Sequence, residues 1–272
     1  MTLWIYGDSY AAGFNGEPWF WTNKVADSLN TNIHNHGIAG SGLESMYGLF
    51  QQYIDGYQQN DIIVFCLTQF HRQNFIPEYP QISIAPSLDN VFITPAEIKK
   101  KYKKAFQLFT DVLYSETNAK VNFTNFLFCL EYLAVTRGVK IICLPCFADV
   151  QTYLETVKHQ FPSIYFAEGN LFNISENECI QKEMTSFFYG FEVRANHMCK
   201  RNHLVLADKI LSHINSNNNI DLTEGFHEKF VSKDRALDTN FANEEFIYTD
   251  RMIELEKSNK FEYFVKKFTK TN

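Results

Sequence analysis

The stretch WIYGDSYAAGF, Trp4 to Phe14, decides how the chain reads. Leu3 to Tyr6 is a short apolar run that stops at Gly7, Asp8 and Ser9. A run without polar alternation reads as a strand covered on both faces, as in parallel sheets. Glycine, acid and hydroxyl at its carboxyl end, then small residues and Gly13, read as a sharp turn towards a helix. Open α/β sheets bind ligands beyond the carboxyl ends of their strands. The turn therefore either reverses the chain and nothing more, or presents Ser9 to a reactant.

The same signal recurs down the chain. Ile62 to Leu67 (IIVFCL), Val139 to Leu144 (VKIICL) and Ser163 to Ala167 (SIYFA) read as buried strands, with a weaker one around Ile33. Helical patterns lie between them at Pro18–Asn30, Ser45–Tyr57, Thr94–Ser115, Val121–Arg137, Asp149–Gln160 and His203–Ile214. Thr94 and Glu97 form a capping box with Pro95 at the first helical position, and Gly138 is a natural helix stop. Strands alternating with helices predict an α/β fold with a mainly parallel sheet. This domain covers residues 1–214. The linker NSNNN (Asn215–Asn219) opens an extension over 215–272, with helices expected at Asn243–Lys257 and Phe261–Phe268. Gln73 to Asp89 reads as a long proline-containing loop, a lid or a contact surface. Trp19 and Trp21 have two readings, the wall of a cleft or the core side of the first helix.

Composition narrows the function. Of 272 residues, 45% are hydrophobic and 21% charged, enough apolar material for a sizeable core. The net charge of −6 argues against nucleic acid as a partner, because phosphate binding needs a basic surface. The one basic run, KKKYKK (Lys99–Lys104), reads as a solvated helix face. Residues 1–20 lack the pattern of a signal peptide and no run is long enough for a membrane span, so a cytoplasmic or virion-associated location is expected. The six cysteines are scattered through apolar runs and read as reduced, buried thiols. Cys143 and Cys146 form a CxxC without a second ligand pair, and His34 and His36 lack a third ligand, so no metal is expected. No phosphate-cradling or dinucleotide-binding glycine pattern is present either, so no cofactor is expected.

GDSYAAGF, with Gly7, Asp8, Ser9 and Gly13, resembles the first block of the SGNH hydrolases, the GDSL esterase/lipase family. NHGIAGSG (Asn35–Gly42) resembles the second block, with Gly40 at the position whose backbone N–H joins the oxyanion hole. The third block departs from the family's Gly-x-Asn-Asp: after IIVFCL comes Thr68-Gln69-Phe70-His71-Arg72, with Gln69 at the asparagine's place. A glutamine amide donates the same hydrogen bond from one methylene further out. The Thr68-x-x-x-Arg72 form resembles a variant among SGNH-like proteins of tailed phages. Arg72 has two readings, a contact to an anionic substrate or a partner for a carboxylate. The last block, ANHMCKRNHLVLADKI (Ala195–Ile210), resembles the family's histidine block, with His197 at the catalytic place and His203 beginning the helix. Arg194 occupies the family's aspartate position, which leaves His197 in a dyad or oriented by another group such as Glu192.

The resemblance implies a three-layer α/β/α sandwich over roughly residues 1–214 and a serine esterase acting on a small acyl ester or an O-acetylated carbohydrate. It implies Ser9 as nucleophile, His197 as base, and the Ser9 and Gly40 N–H groups with Gln69 as oxyanion donors. Asp8, Arg72, Glu192, Arg194 and Asn196 are the supporting or substrate-binding candidates. The alternative is a weakly active or inactive glycan-binding or structural module, such as a virion component. In that reading the extension beyond 215 docks a protein partner or a second copy.

Overall fold

The apolar runs become the strands of one sheet. The computed structural model describes residues 1–12, 18–69, 72–74, 83–85, 90–92, 104, 108, 112, 114–178, 198 and 200–226. In chain order the elements are β1 (Thr2–Gly7), α1 (Trp21–Leu29), β2 (Asn32–Asn35), α2 (Leu43–Gln52), β3 (Ile62–Leu67), three short strands β4 (Gln73–Asn74), β5 (Ser83–Ala85) and β6 (Asn90–Phe92), then α3 (Glu116–Arg137), β7 (Lys140–Pro145), α4 (Ala148–Val157), β8 (Ile164–Phe166), α5 (Leu171–Glu178) and α6 (Lys200–Ser216). Five strands form a parallel sheet in the order β2-β1-β3-β7-β8. The order reverses beside β1, so β1 lies between β2 and β3, where doubly wound sheets bind their ligands.

Strand pleating divides the sheet into two cores. Leu3, Ile5, Ile62, Val64, Ile142 and Leu144 belong to one, with α1, α5 and α6. Trp4, Tyr6, Ile63, Phe65, Ile141 and Cys143 belong to the other, with α2, α3 and α4. The architecture is therefore the expected α/β/α sandwich. Both faces are covered, which is why these strands carry no polar alternation. At the amino end of the sheet, buried Asp61 accepts hydrogen bonds from Thr2 N at 2.7 Å, Trp4 Nε1 at 3.1 Å and Gln58 N at 3.0 Å.

Helix ends follow local chemistry. Ser115 caps α3 by accepting from Asn118 N at 3.3 Å, and Gly138 closes it in the left-handed conformation at φ 65°. Ser45–Tyr57 is shorter than its pattern, giving α2 and a 3₁₀ turn at Ile54–Gly56. Asp149–Gln160 likewise divides into α4 and a 3₁₀ turn at Lys158–Gln160.

Several elements differ from the sequence reading. The segment read as a loop from Gln73 holds the antiparallel strands β4 and β5, and β6 follows at Asn90. Strands of two or three residues are too short to show a period. Helix α5 has no counterpart among the helical patterns of the sequence. Helix α6 starts at Lys200, so His203 lies inside it, buried, with its ring 4.2 Å from that of Phe20. Trp21 is fully buried and donates to Tyr10 O at 2.7 Å, while Trp19 packs beside Phe20 and His203, so both serve the core side of α1. After Asn215–Asn219 the chain returns to the core. Ile220 and Leu222 are buried, and Glu168 N, just past β8, donates to Ile220 O at 3.0 Å. The expected helix at Thr94–Ser115 lies mostly outside the described residues, and the expected tail helices lie wholly outside them.

The turn after β1 is wedged between neighbours. A Cβ on Gly7 would lie 2.6 Å from Cys66 Cβ and 2.8 Å from Ala11 Cβ. A Cβ on Gly37 would lie 2.5 Å from both Ala11 C and Ala12 N, which are backbone atoms that cannot rotate away. Gly48, in α2, has nothing within 4 Å. In urea denaturation, Gly37→Ala should cost about 1–3 kcal/mol through overpacking, whereas Gly48→Ala should gain about 0.5–1 kcal/mol through helix propensity. Equal stability of the two variants would contradict the close approach at Gly37.

Candidate active site

The carboxyl ends of β1, β2, β3 and β7 meet around Asp8 and Ser9. Asp8 folds the turn after β1 much as a helix cap does. Its carbonyl accepts from Ala11 N and Ala12 N at 3.1 and 2.9 Å, and its Oδ1 accepts from Tyr10 N at 3.1 Å. Ser9 is thereby the first residue inside a helical turn, where backbone N–H groups lack intrahelical acceptors. It is half-buried, and neither its N–H nor its Oγ has a hydrogen-bond partner among the described residues.

The loop after β2 is pinned against this turn. Asn35 Nδ2 donates to Ala11 O at 2.8 Å, and Asn35 Oδ1 accepts from Gly37 N at 2.9 Å. The last carbonyl of β1, Gly7 O, accepts from Ile38 N at 3.0 Å and Ser41 Oγ at 3.2 Å. Gly40 lies between these contacts, buried, at φ 78°. Glycine meets that conformation without a Cβ penalty.

On the other side of β1, the loop after β3 supplies Gln69 and Arg72. Arg72 N donates to Gln69 O at 3.0 Å, which closes a turn, and Leu43 N donates to Arg72 O at 3.3 Å, which ties that turn to the start of α2. The guanidinium is buried. Its Nη1 donates to Asp8 Oδ2 at 3.2 Å and its Nη2 to Gln69 Oε1 at 3.3 Å. The Phe147 ring lies 5.1 Å from the guanidinium carbon. Of the two readings for Arg72, a carboxylate partner is the one found: Asp8 is fully buried and holds it. Guanidinium groups only donate, so the Gln69 atom facing it is the amide oxygen. Nε2 of Gln69 makes no hydrogen bond among the described residues. Thr68, the other end of the Thr-x-x-x-Arg form, is fully buried, and its Oγ1 has no partner among the described residues.

Beneath the turn, Cys146 at the end of β7 brings Sγ to 3.9 Å from Asp8 Oδ1. Burial, the hydrogen bond with Cys66 and the nearby Asp8 carboxylate push its thiol well above the ordinary range, so it is a protonated filler and not a thiolate nucleophile. Burial also pushes the Tyr10 hydroxyl up, and that hydroxyl bonds Ser175 Oγ at 2.8 Å. Cys66, Cys129, Cys143 and Cys146 are free thiols. Among the described residues no group of three metal-ligating side chains occurs, and no helix is long and apolar enough to cross a membrane.

The structure thus brings together Asp8, Ser9, Gly40, Gln69 and Arg72. Gly13, Glu192, Arg194, Asn196 and His197 lie outside the described residues. Met198, directly after His197, is buried in the same core as Tyr10 and Ala11. Sequence reasoning missed Gly37, Ser175 and the contact of Cys146. Gly37 had a signal, as one of the three glycines of the second block. Ser175 had none, because its partner Tyr10 is 165 positions away.

No protein-family model matches the chain, and no curated protein matches it. Among solved structures it is similar to a predicted lipolytic protein of the G-D-S-L family from Desulfitobacterium hafniense DCB-2, with TM-score 0.40 and 13% identity, over 78% of this chain and 98% of that one.

The Asp8–Arg72 pair should be costly to break from one side. Asp8→Asn keeps an acceptor for Tyr10 N but strands the buried guanidinium, at a cost of about 3–5 kcal/mol. The double variant Asp8→Asn/Arg72→Met should lose clearly less than the sum of its singles in a urea double-mutant cycle. Strict additivity would show that the two groups do not interact.

Proposed function

We propose that the chain is a serine ester hydrolase of the SGNH type. The observation that carries the reading is the position of Ser9. It sits at the strand-order reversal with Oγ and N–H unpartnered among the described residues, between the loop of Gly40 and the loop of Gln69. A serine hydroxyl at such a point needs only a base and an oxyanion hole to become a nucleophile.

In this mechanism Ser9 Oγ attacks the ester carbonyl and His197 takes its proton. The tetrahedral oxyanion accepts from Ser9 N, Gly40 N and Gln69 Nε2. The carbon–alkoxide bond breaks, His197 returns the proton to the leaving alcohol, and water repeats the sequence to release the acid. Each step is complete with the side chains named. The family resemblance of the four sequence blocks points to a small acyl ester, such as an O-acetyl group on a carbohydrate, as substrate.

Arg194 at the family's aspartate position favours a second reading, a glycan-binding or virion module in which Ser9 is not activated. Labelling with a fluorophosphonate followed by peptide mapping separates the two. The hydrolase reading predicts a stoichiometric adduct on Ser9, absent in Ser9→Ala and slowed at least about 100-fold in His197→Ala. A folded protein that takes up no label, or takes it at another residue, favours the binding module.

A further inference from the structure

We infer that Arg72 is a positioning residue that sets the Gln69 amide for oxyanion binding and locks it to the nucleophile turn. This rests on the hydrolase reading above. A glutamine at this position is one methylene longer than asparagine, and its amide swings through an additional torsion. Left alone, it presents oxygen or nitrogen to a carbonyl oxygen with similar ease, and the oxygen would repel a developing oxyanion. The guanidinium removes that ambiguity. It accepts no hydrogen bonds, so by holding Gln69 Oε1 at 3.3 Å it leaves Nε2 as the end available to donate.

The same guanidinium spans to Asp8 Oδ2 at 3.2 Å, the residue whose carbonyl and Oδ1 build the turn that exposes Ser9 N. Its backbone carbonyl accepts from Leu43 N, just past the Gly40 loop. One residue therefore connects the carriers of all three oxyanion donors. A planar fork with two separate nitrogens reaches both acceptors, whereas a lysine ammonium is a single point on a flexible stem. Burial of Arg72 and the Phe147 ring beside it limit the guanidinium's freedom to leave.

The test is a kinetic cycle with p-nitrophenyl acetate on the full chain, using Arg72→Lys, Gln69→Ala, Gln69→Glu and the double variant Arg72→Lys/Gln69→Ala, with Ser9→Ala as reference. Gln69→Ala should lower kcat about 100-fold or more, the effect of one oxyanion donor. Arg72→Lys should lower kcat about 10- to 100-fold with KM unchanged, the signature of a misplaced donor. The double variant should be slower than Gln69→Ala by clearly less than the factor that Arg72→Lys costs alone, because much of what Arg72 does runs through Gln69. Gln69→Glu should bind Arg72 at least as firmly and keep the thermal midpoint, yet lose kcat as Gln69→Ala does, because a carboxylate cannot donate. Losses that multiply in the double variant, or full kcat in Arg72→Lys, overturn the positioning role while Ser9-dependent turnover stands. Hydrolysis unchanged by Ser9→Ala, or none in the parent protein, overturns the hydrolase reading and the positioning role with it.

Discussion

The buried ion pair between Asp8 and Arg72 is the constraint on which the site depends. Taking both charges out of water is expensive, and a hydrophobic pair of the same volume would often be the more stable choice. What the pair provides is connection. Asp8 follows β1 and shapes the Ser9 turn, Arg72 follows β3 and closes the Gln69 turn, and Phe147 after β7 lies beside the guanidinium. Strand ends held only by their ladders would leave these loops free to move relative to one another. The 3.2 Å contact fixes them in one arrangement.

Close approach does the rest. β1 is the strand at which the sheet order reverses, so its carboxyl end has a loop on each side. Gly7 and Gly37 let Cys66 and the Ala11–Ala12 backbone come nearer than any side chain allows. Asn35 then stitches the second loop to the Ser9 turn through Ala11 O. The two cores behind this edge, aromatic on the α2–α3 side and more aliphatic on the α1–α6 side, hold the strands in register. They give the loops a rigid base, which the proposed oxyanion chemistry needs because its donors must be in place before charge develops.

Much of this was legible in the residues. Continuous apolar runs identified the three six-residue strands β1, β3 and β7 and the shorter β8, since doubly covered strands dispense with polar alternation. Gly40 was legible through its place in the second block of the family resemblance, and it adopts φ 78°. Arg72 was legible as a charge but not as a partner: the choice between substrate anion and Asp8 depends on β1 and β3 being neighbours, which residue types do not specify. The pairing of Tyr10 with Ser175 and the return of Ile220 and Leu222 to the core are tertiary facts without local signatures. The strands β4, β5 and β6 were invisible because they are two or three residues long and, unlike β8, lie in no continuous apolar run.

The most direct measurement is a crystal structure of the protein phosphonylated at Ser9 by a fluorophosphonate. The account predicts a phosphoryl oxygen within hydrogen-bonding distance of Ser9 N, Gly40 N and Gln69 Nε2, with Gln69 Oε1 still held by Arg72 and Arg72 still paired with Asp8. A phosphoryl oxygen bound elsewhere, or a Gln69 amide released from Arg72 and turned away, would contradict it.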